Sequence, residues 1–242
     1  MASDGASLLY TFLKIVLVSP VLHLFFRIKV VGLENIPRHG AVILASNHLS
    51  AIDSFFIPVI IPRKVTFLAK AAYFHGKGPV GWFVKNFLLA VGQIPMDRSG
   101  GAASSDSLNS GLAALASGKM LGIYPEGTRS PSGDLYRGKT GIARMVLAAG
   151  VPVIPIAISG TNGILPKGKR FPRLPRVTVV VGDPLEFTRF AGYDNDRFIL
   201  RSVTDEVMYA ILALGEQGYV DTYASNIKNN AEFNPQRERV SA

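Results

Sequence analysis

The chain holds four histidines, and one of them, His48, stands five residues before Asp53 in the string Ala45-Ser46-Asn47-His48-Leu49-Ser50-Ala51-Ile52-Asp53. The string leaves an apolar run and enters a helix-like one, which is where α/β folds build their sites. On one continuous helix this spacing would turn the two side chains about 140° apart. With His48 in the loop and Asp53 in the first helical turn, the carboxylate reaches back to the imidazole. There it holds the ring tautomer and favours the imidazolium that forms when His48 takes a proton. A second explanation stands beside this one: Ser50-Ala51-Ile52-Asp53 has the pattern of a capping box, with the acid at N3. Spacing alone leaves both open. The other histidines read as structural: His23 packs in an apolar run, His39 lies in a turn beside Gly40, and His75 lies in a basic loop beside Gly76.

A second cluster is Tyr124-Pro125-Glu126-Gly127-Thr128-Arg129-Ser130, directly after an apolar run. Hydroxyls, a guanidinium and backbone N–H groups offered together suit a phosphate, above all through a bidentate Arg. A Gly-containing β-turn with an exposed Arg explains the same residues. Gly92-Gln93-Ile94-Pro95-Met96-Asp97-Arg98 ends a short extended run in an acid–base pair, which a surface ion pair also accounts for. Val151-Pro152-Val153-Ile154-Pro155-Ile156 reads as a buried, proline-punctuated strand.

The elements that must position these residues alternate. Strands are expected over 29–31, 41–45, 65–69, 93–96, 120–124, 153–158 and 177–181. Helices are expected over 50–60 (stopping near Pro58 or Pro62), 80–90, 105–116, 140–149 and 197–214. That alternation predicts a single α/β domain with a mixed, largely parallel sheet flanked by helices. Residues 8–26 are apolar but carry Lys14 and Pro20, so they fit a kinked helix or helix pair lying in one leaflet better than a span or a signal peptide. The expected organisation is a membrane-associating segment over 1–26, the α/β domain over 27–225 and a polar tail over 226–242.

Composition narrows the chemistry. Among 242 residues there is no Cys, which removes disulfides, thiolate nucleophiles and a thioester intermediate on the enzyme. His48 and Asp53 alone make too few ligands for a metal, so none is expected. The net charge of +9 is uneven: residues 1–182 hold 20 Lys/Arg against 7 Asp/Glu, and residues 183–242 hold 6 against 10. Such a field attracts anionic headgroups and phosphorylated molecules. With neither a basic recognition helix nor an aromatic–basic strand motif, no nucleic-acid partner is expected.

Taken together, the residues resemble the PlsC-type glycerolipid acyltransferases, the 1-acylglycerol-3-phosphate acyltransferases. Four blocks match in order: NHLSAID, GQIPMDR, YPEGTRS and VPVIPIAI. His-x4-Asp alone is a weak signal, whereas the ordered set is specific. The resemblance implies that His48 is a general base with Asp53 as its partner. It also implies that Arg98, Glu126, Gly127, Thr128 and Arg129 form the acceptor-phosphate site and active-site wall, and that Lys70 faces the same phosphate. Many members carry an acid two residues after that lysine, where this chain has Ala72.

The implied reaction moves a fatty acyl group from acyl-CoA or acyl-carrier protein to the sn-2 hydroxyl of lysophosphatidic acid, giving phosphatidic acid. No cofactor beyond the thioester donor is expected. The expected location is peripheral or monotopic, at the cytoplasmic face of the membrane bilayer. The rival readings are sn-1 acylation of glycerol 3-phosphate, acylation of another lysophospholipid, and a non-catalytic protein that binds anionic membranes.

Overall fold

The computed structural model describes residues 11, 12, 14, 16, 19–90, 93–96, 102–164 and 173–229; of residues 69, 70, 83, 87, 90, 96, 102–104 and 229 it describes the backbone alone. In chain order the elements are α1 (Ser19–Phe25), β1 (Lys29–Val31), β2 (Val42–Ser46), α2 (Asp53–Ile60), β3 (Val65–Lys70), α3 (Gly78–Ala90), β4 (Ile94–Met96), α4 (Ala102–Ala116) and β5 (Met120–Ile123). They continue with β6 (Leu135–Tyr136), α5 (Gly141–Ala149), β7 (Val153–Ser159), β8 (Thr178–Val181), α6 (Arg197–Leu214), β9 (Tyr219–Val220) and α7 (Ala224–Asn229).

Seven strands form one sheet in the order β1-β8-β7-β2-β5-β3-β4. The pairs from β7 through β2, β5 and β3 to β4 are parallel, while β7 and β8 are antiparallel. The sheet is therefore mixed and mostly parallel, as the alternation of elements predicts. β2 lies inside it, buried along its whole length. Its residues alternate between two cores. Val42 and Leu44 join Phe56, Met120, Ile154 and Ile156 on one face; Ile43 and Ala45 join Leu121, Ile142, Val153 and Val207 on the other. Helices cover both faces, which is why β2 reads as a continuous apolar run rather than an alternating one.

Leu22 of α1 and Phe26 lie in the first core, and the Phe26 ring meets Phe56 edge-on at 5.3 Å. The opposite side of α1 leaves Val21, Leu24 and Phe25 exposed. Residues 1–10 of the expected membrane segment lie outside the described residues. Among those described, no helix is long and apolar enough to cross a membrane.

α2 differs from expectation at its start and ends where expected. It starts at Asp53 rather than soon after Ser50, and it runs through Pro58 to Ile60. The helical bond from Ile61 N–H to the Ile57 carbonyl carries the last turn past the proline. At the other end of the chain, α7 straddles residue 226, where the polar tail was expected to begin. Residues 230–242 of that tail lie outside the described residues.

Candidate active site

The site forms where parallel strands end. β2, β5, β3 and β4 are consecutive neighbours and point the same way, so the loops that follow them open on one edge. His48 follows β2, the 124–130 loop follows β5, and Lys70 is the last residue of β3.

Asn47 anchors the loop after β2. It is buried, and its amide donates to the Ile158 carbonyl at 2.9 Å and accepts from the Ile158 N–H at 2.8 Å. A side chain thus continues the ladder to β7 after the strand has ended, and the next residue, His48, turns out of the sheet.

His48 and Asp53 are brought together as a pair. Nδ1 of His48 lies 2.9 Å from Oδ2 of Asp53, with the imidazole 15% exposed and the carboxylate fully buried. The same oxygen accepts the backbone N–H groups of Leu49 at 2.7 Å and Ser50 at 2.8 Å. The carboxylate thus makes both contacts that the two explanations call for, one to the ring and one to the Ser50 N–H. The carboxylate takes the Ser50 N–H, as the acid of a capping box does, while the Asp53 N–H goes to the Ser50 carbonyl and not to its hydroxyl. Three donors on one oxygen offset the cost of burying the charge.

The ring is also held from behind. The Tyr124 ring stacks on the His48 ring at 3.9 Å and 12°, and Phe67 stacks on Tyr124 at 5.3 Å. Gly122 makes room for this column: a Cβ there would lie 2.4 Å from the Phe67 ring. The Tyr124 hydroxyl sits 3.4 Å from the Ser54 hydroxyl. Burial, reinforced by the charge of Asp53, pushes the Tyr124 phenol well above its ordinary range, so it stays neutral.

The loop after β5 closes over these residues. Glu126 is fully buried. Its Oε2 accepts the His48 N–H and its Oε1 accepts the Tyr136 N–H, each at 2.9 Å. These two bonds make Glu126 a strut that ties the His48 backbone to β6. Burial raises its carboxyl to about 7, against the two backbone N–H groups that pull it down. Gly127 takes a φ of 72°, and a Cβ there would come 3.1 Å from Cδ of Lys139. The Ser130 N–H donates to the His48 carbonyl at 2.7 Å. Thr128 and Arg129 lie at the surface of this loop, with Arg129 exposed. Arg98 lies outside the described residues, and of Lys70 only the backbone is placed.

Several contributors had no local signal. Asn47 and Tyr124 stand inside the quoted strings but carry a role only through Ile158 and Phe67. Lys228, from α7, donates to the Thr128 hydroxyl at 2.8 Å and to the Arg129 carbonyl at 2.5 Å, a hundred residues away in sequence.

A family model described as Acyltransferase matches residues 27–159. A 1-acyl-sn-glycerol-3-phosphate acyltransferase of Bacillus subtilis is 30% identical over 166 residues, covering 68% of this chain and 76% of that protein. One of Borreliella burgdorferi is 26% identical over 170 residues, covering 70% of this chain and 66%, just under two thirds, of its own length. The crystal structure of the 1-acyl-sn-glycerophosphate (LPA) acyltransferase PlsC from Thermotoga maritima superposes with a TM-score of 0.63 at 23% identity, covering 95% of this chain and 81% of that one; this likeness is one of fold.

Proposed function

The chain belongs to the PlsC-type acyltransferase family, and on that premise we propose that it acylates the sn-2 hydroxyl of 1-acylglycerol 3-phosphate from an acyl thioester, acyl-CoA or acyl-carrier protein. One observation carries the reading: a buried carboxylate accepts from Nδ1 of a partly exposed imidazole. An ionised carboxylate can only accept, so such a bond favours the proton on Nδ1 and the lone pair on Nε2, the arrangement a general base needs.

The acyl group arrives activated, and its thiol leaves easily. The reluctant proton is the one on the acceptor hydroxyl. As that oxygen attacks the thioester carbonyl, Nε2 of His48 takes the proton and Asp53 stabilises the positive ring. The tetrahedral intermediate then expels the thiolate, which recovers the proton from the imidazolium. Positioned proton transfer of this kind contributes about 10²–10⁴-fold. With no Cys in the chain, direct transfer is favoured over an acyl-enzyme, and no cofactor beyond the donor is needed.

Thr128 and Arg129, with Lys70 and Arg98, are read as the groups that receive the acceptor's phosphate. Consecutive strand ends along one sheet edge support this, because a bidentate guanidinium offsets the cost of holding a dianion beside an apolar chain. The protein is read as peripheral or monotopic at the cytoplasmic face of the membrane. Leu24 of α1 and Val80 and Trp82 of α3 support this, since each exposes at least two thirds of its surface, and so does the basic field of residues 1–182.

The test is acyl transfer to lysophosphatidic acid by the wild type and by His48→Ala, with product positions mapped. Transfer to the sn-2 hydroxyl that is lost in His48→Ala, with lipid binding retained, supports the reading. Full activity in His48→Ala rejects the mechanism. Product found only at another position, or no transfer at all, rejects the assigned reaction.

A further inference from the structure

The C-terminal segment returns to the active-site loop by a fixed path. β9 pairs in parallel with β6, with Leu135 opposite Tyr219 and Tyr136 opposite Val220. The Arg137 N–H continues this contact to the carbonyls of Val220 and Thr222. Ala224 is fully buried at the start of α7, which leaves the helix little freedom to drift. Lys228, in the last turn of α7, is thereby delivered to the loop after β5.

Its ammonium has three N–H donors. Two are accounted for, one to the Thr128 hydroxyl and one to the Arg129 carbonyl. The contact with Arg129 orders the backbone directly before Ser130, whose N–H holds the His48 carbonyl. Two cations are also brought close. Burial lowers the Lys228 ammonium pKa, and the positive charge of Arg129 lowers it further, while Glu126 pulls the other way. Glu126 is the acid near them, and both its oxygens already accept backbone N–H groups. Like charges held together by the fold, beside a hydroxyl, make a ready site for an anion.

We propose that Lys228 is a specificity-determining residue of the acceptor site: it fixes the Thr128–Arg129 loop and sets a second cation beside Arg129 for the acceptor's phosphomonoester. The proposal rests on the acyltransferase reading above. It makes the site a joint product of the family-matched region and of a segment nearly seventy residues beyond its end.

The experiment measures binding and turnover separately. Calorimetry on the full-length protein, without acyl donor, gives the affinity for a short-chain 1-acylglycerol 3-phosphate and for the matching monoacylglycerol. Turnover with acyl donor then gives kcat and KM. Lys228→Ala is expected to weaken binding of the phosphorylated lipid by about tenfold or more, the scale of a lost charged hydrogen bond. Binding of monoacylglycerol should stay near the wild type, and the loss in turnover should fall mainly on KM, with Lys228→Arg recovering much of the affinity. Unchanged affinity in Lys228→Ala, or equal weakening toward both lipids, overturns the proposal. If the wild type binds the phosphorylated lipid but transfers nothing, the acyltransferase reading falls and the affinities still decide the role of Lys228. If the wild type does not bind that lipid, both fall.

Discussion

Replacing Asp53 by Asn separates the two roles of this carboxylate, because it removes the charge and keeps the shape. The amide oxygen can occupy the place of Oδ2 and still accept from His48 Nδ1, Leu49 N–H and Ser50 N–H, which now lie at 2.9, 2.7 and 2.8 Å. Each bond drops from charge-assisted to neutral, a loss of about 1 kcal/mol apiece, while burying a neutral amide relieves much of the cost of burying an anion. The net loss of stability is therefore small, about 1–2 kcal/mol. Catalysis is affected differently, because an amide cannot stabilise a positive imidazole. If the amide turns its NH2 toward Nδ1, the ring adopts the other tautomer and Nε2 carries a proton where the base is needed. The expected fall in kcat is about 10²–10⁴-fold, which corresponds to about 3–5 kcal/mol in the transition state. The catalytic loss thus exceeds the stability loss, and the two can be read apart. Initial rates are followed with a thiol reagent and an acyl-CoA donor, to which this cysteine-free chain adds no background. Urea unfolding of the same preparations gives the stability. A variant that keeps more than about a third of wild-type kcat while losing stability would show that Asp53 only caps α2, and the base–partner reasoning would be refuted.

Three further outcomes follow from the same geometry. Glu126→Gln leaves one of the two backbone donors, His48 N–H or Tyr136 N–H, facing an NH2 group, so it should cost about 1–3 kcal/mol and lower kcat through a displaced His48. Glu126 titrates at about 7 in the fold against 4.5 ordinarily. The native state thus keeps a proton that the unfolded chain has released, and this group's part of the stability falls as pH rises from 4.5 to 7. Urea titrations across that window should show a shallower fall with pH in the Gln variant, and an unaltered slope would remove Glu126 as its source. Gly122→Ala pushes a methyl into the Phe67 ring, so it should destabilise by about 1–3 kcal/mol and weaken the stack behind His48; an unaltered melting temperature would show that the ring moves aside freely. Arg129→Ala should raise KM for lysophosphatidic acid about tenfold or more and narrow its advantage over monoacylglycerol, with Arg129→Lys recovering only part, because a point charge lacks the bidentate fork. Steady-state kinetics with both acceptors that show an unchanged preference would take Arg129 out of the phosphate site.

Much of the fold is a local property of this chain. Continuous apolar runs such as Val42–Ser46 and Val153–Ser159, set between helical stretches, can be buried only between two helical layers, so strand and helix order were legible from periodicity and length. The long helix Arg197–Leu214 has an aspartate directly before it and a glycine directly after it, which marks both of its ends. The pairing of His48 with Asp53 was open to sequence reasoning because five residues of turn suffice to bring them together. What the chain could not announce were contacts whose partners lie far apart. Asn47 reads as one polar residue among others until β7 supplies the Ile158 backbone. Glu126 reads as one of a cluster with Thr128 and Arg129, and only the fold shows that its carboxylate points inward, because β6 and the His48 loop present two N–H groups that need acceptors in a buried place. The two-residue strands β6 and β9 carry no periodicity at all, and their pairing is what returns α7, and with it Lys228, to the active-site loop. Sequence spacing determines which residues meet within one turn; packing of β7, β6 and α7 against the ends of β2 and β5 decided the rest, because burial of a polar group is satisfied by whichever donor the fold brings near it.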